Sequence, residues 1–387
     1  MNNEDNFKKK INVLLAAAVS LLFVIVALMI YIFNLPAISS EKSEDTDIVT
    51  IEESEEVIEC SHPSHDPTEL WCSVCNEKVP HDYSSGTCPL CGRKAETTDY
   101  CLDYSLWLDL NDSGTVETVE YETKDYGNGT YRTETKKMQV YLPYGYSEEN
   151  KYNVLILLHG SDGTENYWFS RDQYYTYPDD DMCYSVRINI LLDNMIYYRY
   201  CEPLIVVSPT YYLNDYERDQ GDLPYRDAEQ FAEELRNDIL PYLAEHYSTY
   251  AADGSYDSLK AAREHFALIG ASYGAFVTYR SVISRNIDLI SWIGAVSGCN
   301  TPIKDYVVPA IDAAEFDGCD IDLLYIAAGS NDSLREDAYE GYEDMLAYCS
   351  KINSDNIMFV EMKNAVHEDR VWDNAIYNCL FYFFKNT

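Results

Sequence analysis

One stretch of the chain constrains its fold more than any other. The apolar run 265–269 leads into Gly270-Ala271-Ser272-Tyr273-Gly274, and a helical pattern over 275–283 follows. A strand that turns abruptly into a helix through G-x-S-x-G carries its serine on a strained backbone, with the hydroxyl projecting from the end of a sheet. Small residues two positions either side, Gly270 and Gly274, let strand and helix pack closely around such a turn. The pentapeptide also occurs by chance, so its partners have to be found elsewhere in the chain.

They are present in the order an α/β-hydrolase requires, which is nucleophile, acid, histidine. Of the seven histidines only His367 follows Ser272, so His367 is the expected base. It lies in a loop after the predicted strand 356–362, at a carboxyl end, where open α/β sheets place their chemistry. The segment 322–328 reads as another strand, apolar on both faces. Asp332, in the turn beyond it, is the expected acid; it is also well placed to cap the helix predicted from about Leu334. Glu336 and Asp337 are weaker rivals because they fall inside that helix.

A third continuous apolar strand, 153–158, ends in His159-Gly160-Ser161-Asp162-Gly163. Gly160 permits a sharp turn, so that the amide of Ser161 can point at a developing oxyanion. The second donor expected is the amide of Tyr273, the residue after the nucleophile. His159 is expected to hydrogen-bond the loop and take no part in the chemistry.

With these residues in place, 115–387 resembles the esterase-D and feruloyl-esterase group of α/β-hydrolases, carbohydrate esterase family 1. The resemblance includes 138–146 (MQVYLPYGY), the helix 188–196, the strand 203–209, the helix 231–243 with its proline, the segment 292–298 and the Trp372 helix after His367. The family often has methionine after the nucleophile and two glycines beyond; here Tyr273 and Gly274-Ala275 stand instead. Its glycine-rich loop is here His-Gly-Ser-Asp-Gly. Backbone amides survive these changes, whereas the shape of the acyl pocket need not. The resemblance implies an α/β fold with a mostly parallel sheet flanked by helices. It also implies a serine esterase acting on acetyl or feruloyl groups of plant polysaccharides, with no cofactor for catalysis. An acyltransferase of the same fold and a catalytically inactive surface-binding protein are the alternatives.

The first hundred residues carry other signals. Lys8, Lys9 and Lys10 precede an uncharged stretch from Ile11 to Phe33. As a helix this stretch spans roughly 34 Å, enough to cross a bilayer core. Residues 1–10 are read as a cytoplasmic tail and 11–35 as a single-pass transmembrane signal anchor, which puts the rest outside the cell membrane. A cleavage site near Pro36-Ala37 remains open. The linker 36–59 is acidic, with nine carboxylates and one lysine between Ser39 and Glu59, and is read as an extended tether. Within 60–101, Cys72-x-x-Cys75 and Cys88-x-x-Cys91 are separated by twelve residues. Four thiolates so spaced read as a zinc-ribbon-like module with one structural zinc, two disulfides being the rival. The esterase domain is assigned to 105–387. Cys379, in an apolar helical stretch, is expected in the core.

With 66 acidic and 28 basic residues the net charge is −38, which argues against a nucleic-acid partner, since phosphate binding needs a basic surface. Tyrosine is abundant, and aromatic loops at 167–184 and 211–225 are expected to rim the site. They would suit a sugar ring or a hydroxycinnamoyl group, or be no more than the loop tyrosines of a tyrosine-rich chain.

Overall fold

A computed structural model describes residues 104–127, 132–161, 163–170, 172–176, 182–214, 218 and 226–384. The readings for the tail, the membrane anchor, the acidic linker and the four-cysteine ribbon lie outside these residues. Among the described residues no helix is long and apolar enough to cross a membrane.

Among the described residues ten strands form: β1 Thr115–Lys124, β2 Thr133–Leu142, β3 Asn153–Leu158, β4 Asp172–Thr176, β5 Met182–Val186, β6 Leu204–Pro209, β7 Phe266–Ala271, β8 Trp292–Val296, β9 Leu323–Gly329 and β10 Ile357–Met362. Eight of them make one sheet in the order β1-β2-β6-β3-β7-β8-β9-β10. The β1–β2 and β2–β6 pairs are antiparallel, and every pair from β6 to β10 is parallel. All residues of β6, β7, β8 and β9 are buried, as strands covered on both faces must be. β1 is the outer strand and most of its residues are exposed; its glutamates discourage pairing with another chain.

Alternation along the central strands divides the core into two layers. Val154, Ile156 and Leu158 pack on one face with Phe231, Leu235 and Phe276. Leu155 and Leu157 pack on the other with Leu191, Ile376 and Leu380. The helices Arg226–Glu234 and Tyr273–Val277 therefore cover one face, and Ile188–Tyr197 and Asp369–Tyr382 the other.

Two local differences from the sequence reading have physical causes. The expected single helix over 231–243 is interrupted by a π turn at Leu235–Ile239, immediately before Pro241 in the helix Leu240–His246. Proline removes an amide donor and crowds the preceding turn, and a wider turn accommodates it. The segment read as an aromatic loop contains the antiparallel pair β4–β5, with Asp172 opposite Val186 and Thr176 opposite Met182. Its tyrosines, Thr176 and Val186 favour extended backbone, a preference that the aspartates between them masked in the sequence.

The register makes the carboxyl ends of the parallel strands level. Leu158 pairs with Gly270, Ala271 with Val296, Val296 with Ala327, and Gly329 with Met362. The residues that follow each strand are thereby brought to one edge of the sheet, although they are scattered over two hundred positions of chain.

Candidate active site

Ser272 sits immediately beyond β7 with φ 56° and ψ −119°, a conformation that L-residues rarely adopt. Its amide donates to the carbonyl of Val296 at 2.8 Å, tying the turn to the end of β8. The two flanking glycines are required by what surrounds them. A Cβ on Gly270 would lie 2.1 Å from the Gly274 carbonyl oxygen and 2.4 Å from Thr278 Oγ1. A Cβ on Gly274 would lie 2.6 Å from the His159 oxygen and 2.8 Å from that of Leu158. The first glycine lets the helix start fold back on its own strand, and the second lets it sit against the end of β3.

The three residues expected to act together are brought together. Ser272 Oγ lies 2.9 Å from His367 Nε2, and His367 Nδ1 lies 3.0 and 3.2 Å from the two carboxylate oxygens of Asp332. A carboxylate can only accept, so Nδ1 carries the ring proton and Nε2 is left to accept from the serine hydroxyl. Asp332 is almost fully buried. Burial alone would raise its pKa, but hydrogen bonds from His367, from the Leu334 amide at 2.8 Å and from Ser297 outweigh it and hold the carboxyl below its ordinary value. The Leu334 contact closes a turn ahead of the helix Arg335–Tyr348, whose N-cap is Leu334, so Asp332 faces the histidine but is not the helix cap weighed for it from sequence. The rivals are engaged elsewhere: Asp337 accepts the amides of Cys299 and Asn300, and Glu336 pairs with Arg335.

The histidine loop is clamped. Asn331 donates its amide to the Ala365 carbonyl at 2.9 Å, and the Asn364 amide donates to Ser330 Oγ at 2.8 Å, joining the loops after β9 and β10. Trp372 meets the His367 ring edge-on with centroids 5.4 Å apart, and its indole N–H donates to Ser297 Oγ at 3.2 Å. Ser297 was not singled out in the sequence. It follows β8 directly with φ 57°, and a serine one residue past a buried parallel strand was the only signal for it.

On the other side of Ser272 lies the loop after β3. A Cβ on Gly160 would be 3.3 Å from Ser272 Cβ and 3.7 Å from its Oγ, so this loop runs against the nucleophile. Ser161 follows at an exposed position, and Tyr273 opens the helix, where first-turn amides have no partner within the helix. His159 does hydrogen-bond the loop as expected, with Nδ1 2.6 Å from the Gly160 carbonyl oxygen.

Part of the aromatic rim expected from the sequence is packed inside, while Tyr177, Tyr216 and Tyr225 lie outside the described residues. Trp168, Phe169, Tyr211 and Tyr212 are buried, because the loops carrying them fold down over the sheet edge and remove these rings from water. Cys379 is fully buried, as expected, and Cys299, Cys319 and Cys349 are likewise free thiols.

Residues 131–314 match a family model named Esterase and described as "Putative esterase". Over 261 residues the chain is 29% identical to endo-1,4-beta-xylanase Y of Acetivibrio thermocellus, the match covering 65% of this chain and 22% of that protein. The chain thus spans about a fifth of the length of that curated relative. Among solved structures it is similar to a serine-to-alanine mutant of the feruloyl esterase module from Clostridium thermocellum complexed with sinapinate. That match has a TM-score of 0.61 and 26% identity, and covers 75% of this chain and 95% of that one. The fold is also shared with a CE1 ferulic acid esterase of the anaerobic fungus Anaeromyces mucronatus, with a TM-score of 0.56, 21% identity, and 75% and 98% covered. In sequence and fold the chain is thus similar to esterases, a feruloyl esterase module among them.

Proposed function

We propose that Ser272, His367 and Asp332 form the catalytic triad of an esterase that removes feruloyl or acetyl groups from plant polysaccharides. The observation that carries this reading is the unbroken chain of contacts, Ser272 to His367 at 2.9 Å and His367 to Asp332 at 3.0 Å. Ser272 Oγ attacks the ester carbonyl as His367 Nε2 takes its proton, and the carbonyl oxygen becomes an oxyanion held by the amides of Ser161 and Tyr273. Each such donor is typically worth about a hundred- to a thousandfold in rate. Collapse breaks the bond to the alcohol, which leaves with the proton from His367. Water, deprotonated by His367, then releases the acid and restores Ser272. Asp332 stabilises the imidazolium at each transfer.

The substrate class is supported by the feruloyl esterase module bound to sinapinate and by the xylanase relative. The chain is further proposed to be anchored in the cell membrane by residues 11–35, with its catalytic part outside. A zinc held by Cys72, Cys75, Cys88 and Cys91 would be structural, since four thiolates leave no open position for chemistry.

The test is hydrolysis by the full-length chain and by Ser272→Ala, using 4-nitrophenyl acetate, methyl ferulate and acetylated xylan. Activity abolished by the substitution supports the triad, and the preferred ester identifies the acyl group. Hydrolysis unchanged in the variant refutes it.

A further inference from the structure

The carbonyl oxygen of Gly160 is held more tightly than an ordinary turn requires. Three donors converge on it: Tyr211 Oη at 2.7 Å, His159 Nδ1 at 2.6 Å and the Gly163 amide at 3.3 Å. A carbonyl has two lone pairs, so two donors would satisfy it. Behind the His159 ring, Nε2 lies 2.9 Å from Thr210 Oγ1. Burial, helped by the charges of Lys136 and Arg218 and opposed by the Gly160 contact, pushes the His159 imidazole down to about 4, so the ring is neutral near pH 7. Its one proton must then sit on Nδ1, facing an atom that can only accept, and Nε2 accepts from the Thr210 hydroxyl. The same hydroxyl oxygen accepts the Tyr212 amide at 3.3 Å, and the Thr210 carbonyl accepts Lys136 Nζ at 2.7 Å. Lys136 is itself fixed by the buried carboxylate of Glu234. A continuous line of hydrogen bonds therefore runs from an ion pair beside the sheet to the loop that lies against Ser272.

The far edge of that peptide plane explains why such holding matters. In a trans peptide the N–H points opposite to the C=O, so fixing the Gly160 carbonyl fixes the direction of the Ser161 N–H. Ser161 is exposed and follows a glycine, the residue with the freest backbone, so this plane would otherwise rock. A donor to an oxyanion acts through being aimed in advance. We propose that His159, Thr210 and Tyr211 are positioning residues that lock the Gly160–Ser161 peptide so that the Ser161 N–H stays directed at the oxyanion, a role that rests on the esterase reading above. Sequence alone identified His159 as a loop residue; Thr210 and Tyr211 lie some fifty positions away and join it only through the packing of the β6 loop.

The test compares Tyr211→Phe, Thr210→Val and Thr210→Ser with the parent and with Ser272→Ala, all as full-length chains. The readouts are 4-nitrophenyl acetate hydrolysis and inhibition by an arylboronic acid, which forms a tetrahedral adduct on the serine. Tyr211→Phe keeps the ring and removes one hydroxyl. It is expected to lower kcat about ten- to a hundredfold, part of the worth of one oxyanion donor, with KM within about twofold. Boronate affinity should fall alongside kcat. Thr210→Val should do the same, and Thr210→Ser, which restores the hydroxyl, should recover most of the loss. Unchanged kcat and boronate affinity in both damaging variants, while Ser272→Ala is inactive, would overturn this role and leave the triad standing. A loss that Thr210→Ser fails to rescue would overturn it too, by marking the effect as general structural damage. Hydrolysis that persists in Ser272→Ala would remove the esterase reading and this role together.

Discussion

Replacing Lys136 by methionine should unmask how much the molecule depends on one buried ion pair. Lys136 Nζ lies 2.7 Å from Glu234 Oε1, and the two side chains are 3% and 4% exposed. Lys136 projects from β2, cross-strand from Tyr121 on β1, and Glu234 ends the helix Arg226–Glu234. Tyr121 donates its hydroxyl to the same carboxylate at 2.5 Å. Methionine preserves the stem but leaves a buried carboxylate with only that hydroxyl, a change that typically costs about 3–5 kcal/mol. An unfolding entropy of about 2.1 cal/mol/K per residue over roughly 280 residues gives about 0.6 kcal/mol/K, so Tm should fall by about 5–8 °C. The deficit should depend on pH with a definite sign. Burial already raises the Glu234 pKa, offset in part by Lys136 and the Tyr121 hydrogen bond. A carboxyl whose folded pKa is raised above its unfolded value favours folding at low pH and loses that contribution as pH rises. Without Lys136 the carboxyl is raised further, so the variant should approach the parent near pH 4–5 and fall behind towards pH 8. Adding Glu234→Leu should recover most of the loss, less the cost of the stranded Tyr121 hydroxyl. Urea unfolding at several pH values measures all of this. A deficit under about 1 kcal/mol, or one that does not change with pH, would refute the argument, because either result means that the carboxylate is solvated.

Three further outcomes are expected. Asp332→Asn should preserve the loop geometry but present the wrong partner to His367 Nδ1, lowering kcat about a thousand- to ten-thousandfold with little change in KM; an effect below tenfold in steady-state kinetics would exclude Asp332 as the triad acid. His159, pushed down to about 4 by burial, should make the fold lose stability as pH drops. A depressed histidine contributes fully above its unfolded value of about 6.5 and progressively less down to its folded value, about 3 kcal/mol in all, so His159→Gln should flatten the slope of unfolding free energy over that window. Full-length chain purified without chelator should carry one zinc by elemental analysis, absent in Cys72→Ser; two disulfides in mass spectrometry and no metal would replace the zinc by the rival reading.

The central strands and the nucleophile turn were legible in the sequence, because both signals are local. A strand buried on both faces must be continuously apolar, so β3, β6, β7, β9 and β10 were found within a residue or two of their ends. A serine flanked by glycines between a strand and a helix fits few turns besides a nucleophile elbow, and a single histidine beyond it left one candidate base. Chain order thus singled out Ser272 and His367 as candidates without coordinates, and the turn after β9 pointed to Asp332. Only the tertiary structure could decide between Asp332 and its neighbours, since the choice depends on which carboxylate the folded β10 loop reaches. It also decided that Trp168, Phe169, Tyr211 and Tyr212 are buried packing. Composition states how many aromatic rings there are, whereas exposure depends on which loop folds over which edge. The hydrogen bonds converging on the Gly160 carbonyl were beyond the sequence for the same reason. They join His159, Tyr211 and, through His159, Thr210 and Lys136, and they form because the parallel register levels the ends of β3 and β6 on one edge. Local sequence sets what each strand and turn can be; the alignment of strand ends sets which of their residues meet.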